Sequence, residues 1–367
     1  MTIRAQVLRL LGEPPVPVPL DLVVRAETVF QGGRRLLIDY AASEVERISA
    51  YLLVPEPAWS SPPPGPLLPP IGAGLTSAQR PLAASIEDLL PSRDRLPPGA
   101  PYPAILALHR ETACFSLGKS ESAGLSADAN YHYGLELCRR GYVVLCPDLL
   151  GFEDRRPPEY ARAAGTAPDG PLYERYLATR LLLEGTSLKA KHTFDLVRGL
   201  DLLESLDIVD RERLGVIGHS LGGQEAFWLT WYDARIRAGV ASCGLGTLRT
   251  LLRDHINHNL ALCLPGLLRI ADLEDLAADL APCPFLLAAG EEDPLWPIDG
   301  VRQIVAKAQE AYRRASVPDL FQAILFPGGH TFPPAVREEA YRFLDRWLKR
   351  PAAGPQSFAM PMAEARA

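Results

Sequence analysis

Three side chains set far apart along the 367-residue chain have the types needed to cleave an acyl bond: Ser220, Asp293 and His330. A serine hydroxyl is a weak nucleophile until a neighbouring base takes its proton, and imidazole is the side chain suited to that exchange near neutral pH. A carboxylate on the other ring nitrogen fixes the tautomer and stabilises the imidazolium that forms. The chain order of serine, acid and histidine is one of the orders in which this arrangement recurs. Ser220 lies in Gly218-His219-Ser220-Leu221-Gly222, a G-x-S-x-G pattern. An apolar run, Leu214 to Ile217, precedes it and a helix-forming stretch, Gln224 to Tyr232, follows. That context predicts a strand, a sharp turn and a helix, with Ser220 lifted clear of the sheet above unpaired helix amides. Glycine is required at 218 and 222, where a side chain would meet the backbone of so tight a turn.

Competing readings exist for each residue. Glu291, Glu292 and Asp299 rival Asp293 as the acid, but Asp293 lies just beyond a strand end and Pro294 stiffens its turn. His330 follows Gly328-Gly329 and precedes a helix, which suits a catalytic loop. Asp148 also follows a strand, yet it comes before the nucleophile in the chain and fits turn capping. Two backbone amides should bind the oxyanion: Leu221, directly after the nucleophile, and Arg110, in the loop after the Ala104–Leu108 strand. His255 and His258 lack an evident third metal ligand and read as surface or packing histidines. His219 is expected to be buried and hydrogen-bonded. Phe227, Trp228, Trp231 and Tyr232 read as core of the helix after the nucleophile.

The elements that must hold these residues alternate between apolar runs and helical stretches, which predicts a mostly parallel sheet with helices on both faces. In such a sheet, ligands meet the loops at the carboxyl ends of the strands. The runs are Ala104–Leu108, Tyr142–Cys146, Leu214–Ile217, Ile236–Ser242, Phe285–Ala289 and Phe321–Phe326. Helices are expected at Asn130–Arg140, Leu188–Leu206, Val301–Ala315 and Ala335–Leu348. Residues 1–54 read as N-terminal strands joining the sheet, with antiparallel runs at 22–30 and 35–54 around the Gly32-Gly33 turn. Residues 55–101 form a Pro-rich insertion with one weakly helical piece near Ser85–Leu90. The catalytic core spans 102–350, with a charged, Pro-containing excursion at 152–188 and a small helical cap at about 245–281. Residues 351–367 read as a loose tail.

Composition narrows the remaining classes. A hydrophobic fraction of 47% supports a sizeable core, and the net charge of −6 without a basic cluster gives nucleic acid no electrostatic footprint. No stretch is long and apolar enough to span a membrane, and Met1 to Leu22 lacks the unbroken apolar core of a signal peptide. Six cysteines, Cys114, Cys138, Cys146, Cys243, Cys263 and Cys283, show no C-x-x-C pairing. They read as buried free thiols, favouring a reducing, cytoplasmic setting.

From about Tyr102 to Leu348 the chain resembles the α/β-hydrolase superfamily, most closely the dienelactone hydrolase and acetyl xylan esterase-like group. The stretches that carry the likeness are Ile105–His109 with Gly118-Lys119, Arg140–Asp148, Gly218–Gly223, Pro265–Leu268, Gly290–Pro294 and Gly328–His330. Dienelactone hydrolases proper are smaller and carry a cysteine nucleophile where this chain has Ser220. The resemblance implies an α/β-hydrolase fold and a serine hydrolase acting on a small-molecule carboxylic ester, such as a short-chain acyl ester or an acetylated sugar. No metal or organic cofactor is implied, and self-association into a homo-oligomer is left open. The alternatives are an oligopeptidase or aminoacyl amidase, a carbon–carbon bond hydrolase, and a non-catalytic binding protein of the same fold. An intact triad argues against the last.

Overall fold

The computed structural model describes residues 1–55, 85–96, 100–113 and 115–349. Most of the Pro-rich insertion, Cys114 and the C-terminal tail therefore lie outside the described residues. The chain divides into two compact units, and each supplies part of an α/β-hydrolase fold with a mixed sheet and helices on both faces.

One unit comprises residues 14–173 and 194–211. Its strands are β1 (Val23–Phe30), β2 (Gly33–Ala41), β3 (Arg47–Pro55), β4 (Tyr102–Leu108) and β5 (Val143–Pro147). They lie in the order β1-β2-β3-β5-β4. β1, β2 and β3 form an antiparallel meander, β3 runs antiparallel to β5, and β4 runs parallel to β5. The 35–54 run is thus two strands, because Ala42 and Ser43 turn back onto Glu46. β4 and β5 are buried at every position, as befits strands with both faces covered.

An ion cluster ties the loops after β4 and β5 together. The Lys119 ammonium lies 2.8 Å from Asp148, 2.9 Å from Glu153 and 3.0 Å from Asp154, and its side chain is only 1% exposed. The Lys119 backbone N–H donates to Asp148 Oδ1, and the Gly118 and Ser120 amides donate to Glu153 Oε2. Burial opposes the charge on Lys119, but the three carboxylates outweigh it and raise its pKa above the ordinary lysine value. Asp148 therefore does more than cap a turn. A lysine replaced by methionine would leave buried carboxylates without their cation. Lys119→Met is expected to lower stability by about 3–5 kcal/mol, read as a shift of the urea midpoint at unchanged slope.

The other unit comprises residues 1–13, 174–193 and 212–367. It is built on β6 (Val209–His219), β7 (Ile236–Ser242), β8 (Phe285–Gly290) and β9 (Phe321–Phe326), in that spatial order and all parallel. The register pairs His219 with Ser242, Ser242 with Ala288, and Gly290 with Phe326. The carboxyl ends of the four strands are therefore level, and the loops that follow open side by side. The Leu221–Tyr232 helix packs against β7, the Ile298–Arg314 helix against β8 and β9, and the Pro334–Leu348 helix against β7 and β8. Phe227, Trp228 and Trp231 are buried as core.

Three features depart from the sequence reading. Ile3–Leu11 is a helix, capped by Thr2 and closed by Gly12, with Val7 and Leu11 buried. The Leu188–Ser205 helix, whose sequence places Phe194, Val197, Leu200, Leu203 and Leu206 along one apolar side, also takes Lys189, His192 and Asp195 inside. Cys263 is exposed, although Cys138, Cys146 and Cys243 are buried free thiols as expected. Among the described residues no helix is long and apolar enough to cross a membrane.

Candidate active site

The loop after β6 is a tight turn. A Cβ placed on Gly218 would lie 2.1 Å from the Gly222 carbonyl oxygen, so only glycine permits the turn. Ser220 carries the cost: its φ of 56° and ψ of −121° place a non-glycine residue in strained backbone space. Two backbone hydrogen bonds hold it there, Ser220 N–H to Ser242 O and Gln224 N–H to Ser220 O. Leu221 opens the helix that follows, so its backbone N–H has no acceptor within the helix. On that helix, the buried carboxylate of Glu225 accepts from Lys189 Nζ at 2.7 Å and lies 3.2 Å from His192 Nδ1. Burial works against the Glu225 charge, yet Lys189 and His192 draw its pKa below the ordinary carboxylate value. The Leu221–Tyr232 helix is thereby tied to Lys189 and His192.

The acid loop, 291–297, and the histidine loop, 327–333, leave β8 and β9 and touch at their bases. A Cβ on Gly290 would lie 2.2 Å from Gly329 O, so this approach too needs glycine. Asp293 is 5% exposed, whereas Glu291 and Glu292 are solvent-exposed. Glu291 pairs with Arg302, and Asp299 pairs with Arg253. The Asp293 carboxylate is fully engaged. Oδ1 accepts from the backbone N–H of Leu295 at 2.9 Å and of Trp296 at 3.3 Å, while Oδ2 faces His330 Nδ1 at 2.8 Å.

His330 Nε2 lies 2.8 Å from Ser220 Oγ. A carboxylate can only accept, so His330 Nδ1 carries the hydrogen and donates it to Asp293. Nε2 is then left as the acceptor for the serine hydroxyl. The three residues separated by 73 and 37 positions in the chain form one continuous proton path. This geometry can draw the proton from Ser220 as its oxygen attacks an electrophile, and can return it to a leaving group.

His219 is buried as expected, with Nδ1 at 3.0 Å from Ser242 Oγ and its ring 5.0 Å from that of His330. Cys243, which follows β7, reads in the sequence only as one of six scattered thiols, with nothing to place it at this site. It adopts a φ of 45°, its Sγ contacts Thr331 O at 3.4 Å, and burial pushes its thiol up to about 12. An un-ionised thiol offers no rival nucleophile. Among the described residues, one group of three potential metal ligands is present, Cys243 with Asp293 and His330. It includes neither His255 nor His258. His255 is exposed, but His258 packs its ring 4.5 Å from that of Trp296, beside the acid loop. The 245–281 segment therefore reaches the site through a residue that the sequence marked only as packing.

Arg110 belongs to the other unit. There its guanidinium donates to Glu121 at 2.9 Å and stacks 3.8 Å over the Tyr131 ring. The preceding His109 accepts from the Leu149 N–H through Nε2, so its Nδ1 hydrogen goes to the Arg110 carbonyl at 2.8 Å. That pair of bonds fixes the backbone at Arg110.

A strained serine at the turn between β6 and its helix, with acid and histidine in the loops after β8 and β9, is the arrangement of an α/β-hydrolase. Residues 185–354 match the model of the prolyl oligopeptidase family. "Putative hydrolase YtaP" of Bacillus subtilis is 30% identical over 254 residues, which is 68% of this chain and 79% of YtaP. Among solved structures, a "putative acetyl xylan esterase" from Bacteroides fragilis superposes with a TM-score of 0.63 at 14% identity, covering 93% of this chain and 80% of that one. A glucuronoyl esterase from Solibacter usitatus gives 0.59 at 16% identity, covering 93% and 91%. The chain belongs to the α/β-hydrolase superfamily, in the same hydrolase family as YtaP.

Proposed function

We propose that the protein hydrolyses carboxylic esters of small molecules through an acyl-enzyme on Ser220. The observation that carries this reading is His330, set 2.8 Å from the serine hydroxyl on one side and 2.8 Å from the Asp293 carboxylate on the other. Ser220 Oγ attacks the ester carbonyl while His330 Nε2 takes its proton. The Leu221 amide donates to the tetrahedral oxyanion. Collapse expels the alcohol, which leaves with the proton from His330. Water then enters, gives a proton to His330 as it attacks the acyl-enzyme, and releases the acid and free Ser220. An alkoxide leaves readily when protonated, so these three side chains and the Leu221 amide suffice for an ester. The names of the similar solved structures, an acetyl xylan esterase and a glucuronoyl esterase, favour this bond type.

A second reading, cleavage of aminoacyl amides, is favoured by the match of residues 185–354 to the prolyl oligopeptidase family. A panel of 4-nitrophenyl esters of rising acyl length beside aminoacyl 4-nitroanilides separates the two. Acetate and butyrate esters are expected to turn over fastest and anilides at least about a hundredfold more slowly. Anilides cleaved faster than esters would establish the peptidase reading instead.

A further inference from the structure

The thiol of Cys243 takes no part in the proposed reaction, yet it stands among the groups that do. Cys243 follows β7, and its backbone N–H donates to Ala288 O on β8. It holds a φ of 45°, a conformation that is costly outside glycine and persists only where the surroundings impose it. From there Sγ reaches Thr331 O, next to His330, at 3.4 Å. One donor atom from each of Cys243, Asp293 and His330 lies within 4.8 Å of the other two. A thiol sulfur, a carboxylate oxygen and an imidazole nitrogen thus gather from the ends of three strands.

That donor set suits a particular class of ion. Calcium and magnesium take oxygen ligands. Sulfur with nitrogen selects a thiophilic divalent cation, and Zn2+ binds Cys, His and Asp at about 2.3, 2.0 and 2.1 Å. Tetrahedral bonds of those lengths set the donors about 3.3–3.6 Å apart. The Asp293–His330 pair, now at 2.8 Å, must open by about half an ångström, and Sγ must close by little more than about one. The His330 side chain is 19% exposed, which gives an ion an approach, whereas Cys243 and Asp293 are buried. Burial also holds the proton on the Cys243 thiol, and an ion must displace it. Binding is therefore reversible rather than permanent.

We propose that Cys243, Asp293 and His330 form an inhibitory site for a thiophilic divalent cation, with Zn2+ as the ion that tests it. The ion replaces the thiol proton, which passes to solvent, and takes a lone pair of the His330 ring. Bound at Nδ1, it drives the ring hydrogen to Nε2; bound at Nε2, it occupies that nitrogen itself. In either case Nε2 cannot accept from Ser220, and acylation stops. Binding rests on the geometry alone, whereas inhibition also rests on the role given to His330 under the ester reading above.

Hydrolysis of 4-nitrophenyl acetate by the full chain is expected to stop at saturating free Zn2+, set with a chelator buffer, and to return when EDTA is added. The half-inhibiting concentration should rise at least about tenfold in Cys243→Ala, since a direct ligand weighs no less than an outer-shell partner. Cys243→Ser, which keeps the size of the side chain but offers no thiolate, should behave as Cys243→Ala does. Cys263→Ser, which removes an exposed thiol, should be inhibited at the wild-type concentration. Cd2+ added to Ser220→Ala reports binding without turnover, through a thiolate-to-metal absorbance that a further Cys243→Ala lowers. Wild-type activity indifferent to Zn2+, or equal inhibition of Cys243→Ala and wild type, overturns the inhibitory site. A protein that cleaves no ester overturns the ester reading alone if the Cys243-dependent Cd2+ absorbance appears, and both if it does not.

Discussion

Ser220→Ala is expected to lower kcat on 4-nitrophenyl acetate by on the order of a millionfold, with little change in stability. The size follows from what the residue does in the proposed reaction. Without Oγ there is no acyl-enzyme, and the remaining groups can only assist attack by water. Removing the nucleophile from such a triad costs about as much as removing all three members, because they act as a unit. Residual rate comes from the Leu221 amide and from binding. Stability should hold because Ser220 is fixed by its backbone, through Ser242 O and the Gln224 N–H, and Oγ makes its one hydrogen bond to His330. Alanine tolerates the strained φ of 56° no better than serine, so the turn stays as costly as before. A loss of less than about a thousandfold, in protein that melts as wild type does, would assign the chemistry to another nucleophile.

Asp293→Asn is expected to lower kcat by about ten-thousandfold while leaving KM nearly unchanged. Asp293 accepts three hydrogen bonds and donates none: from Leu295, from Trp296 and from His330 Nδ1. An asparagine keeps the shape and can keep the two backbone bonds on its oxygen. Its NH2 then faces His330 Nδ1 and donates to it, which forces the ring hydrogen onto Nε2. In that tautomer Nε2 can no longer accept from Ser220. The defect lies in the chemical step, so KM is spared. Equal loss in Glu291→Gln would point to the wrong acid, although Glu291 is exposed and paired with Arg302.

The proximity of Ser220, Asp293 and His330 was legible in the sequence because the constraints on each are local. The turn at 218–222 permits only glycine at its tight points, and the strand before it and helix after it are short-range patterns. Asp293 was separable from Glu291 and Glu292 by its place beyond the strand end and before Pro294, and the structure finds it the one that is buried. The parallel strands β4 and β5 of one unit and β6 to β9 of the other were legible too, each through a short, predominantly apolar run. What escaped depends on residues distant in the chain. Lys119 reads as an ordinary lysine until three acids some thirty residues onward fold around it. His258 reads as a polar loop residue until Trp296 comes against its ring. Cys243 is one of six scattered thiols until the ends of β7 and β8 are brought level. The Ile3–Leu11 helix is a different case. Thr2 and Gly12 are serviceable start and stop signals, but the helix spans nine residues and buries two of them, so its hydrophobic pattern was too thin to outweigh the prolines beyond Gly12.

A fluorophosphonate carrying a reporter group reacts only with a serine whose hydroxyl is activated by a neighbouring base. Mass analysis of the labelled protein therefore tests the proton path directly. One adduct per chain is expected, on the peptide that contains Ser220, absent in Ser220→Ala and in His330→Ala. An unlabelled wild-type protein, or an adduct that persists in either variant, would contradict it.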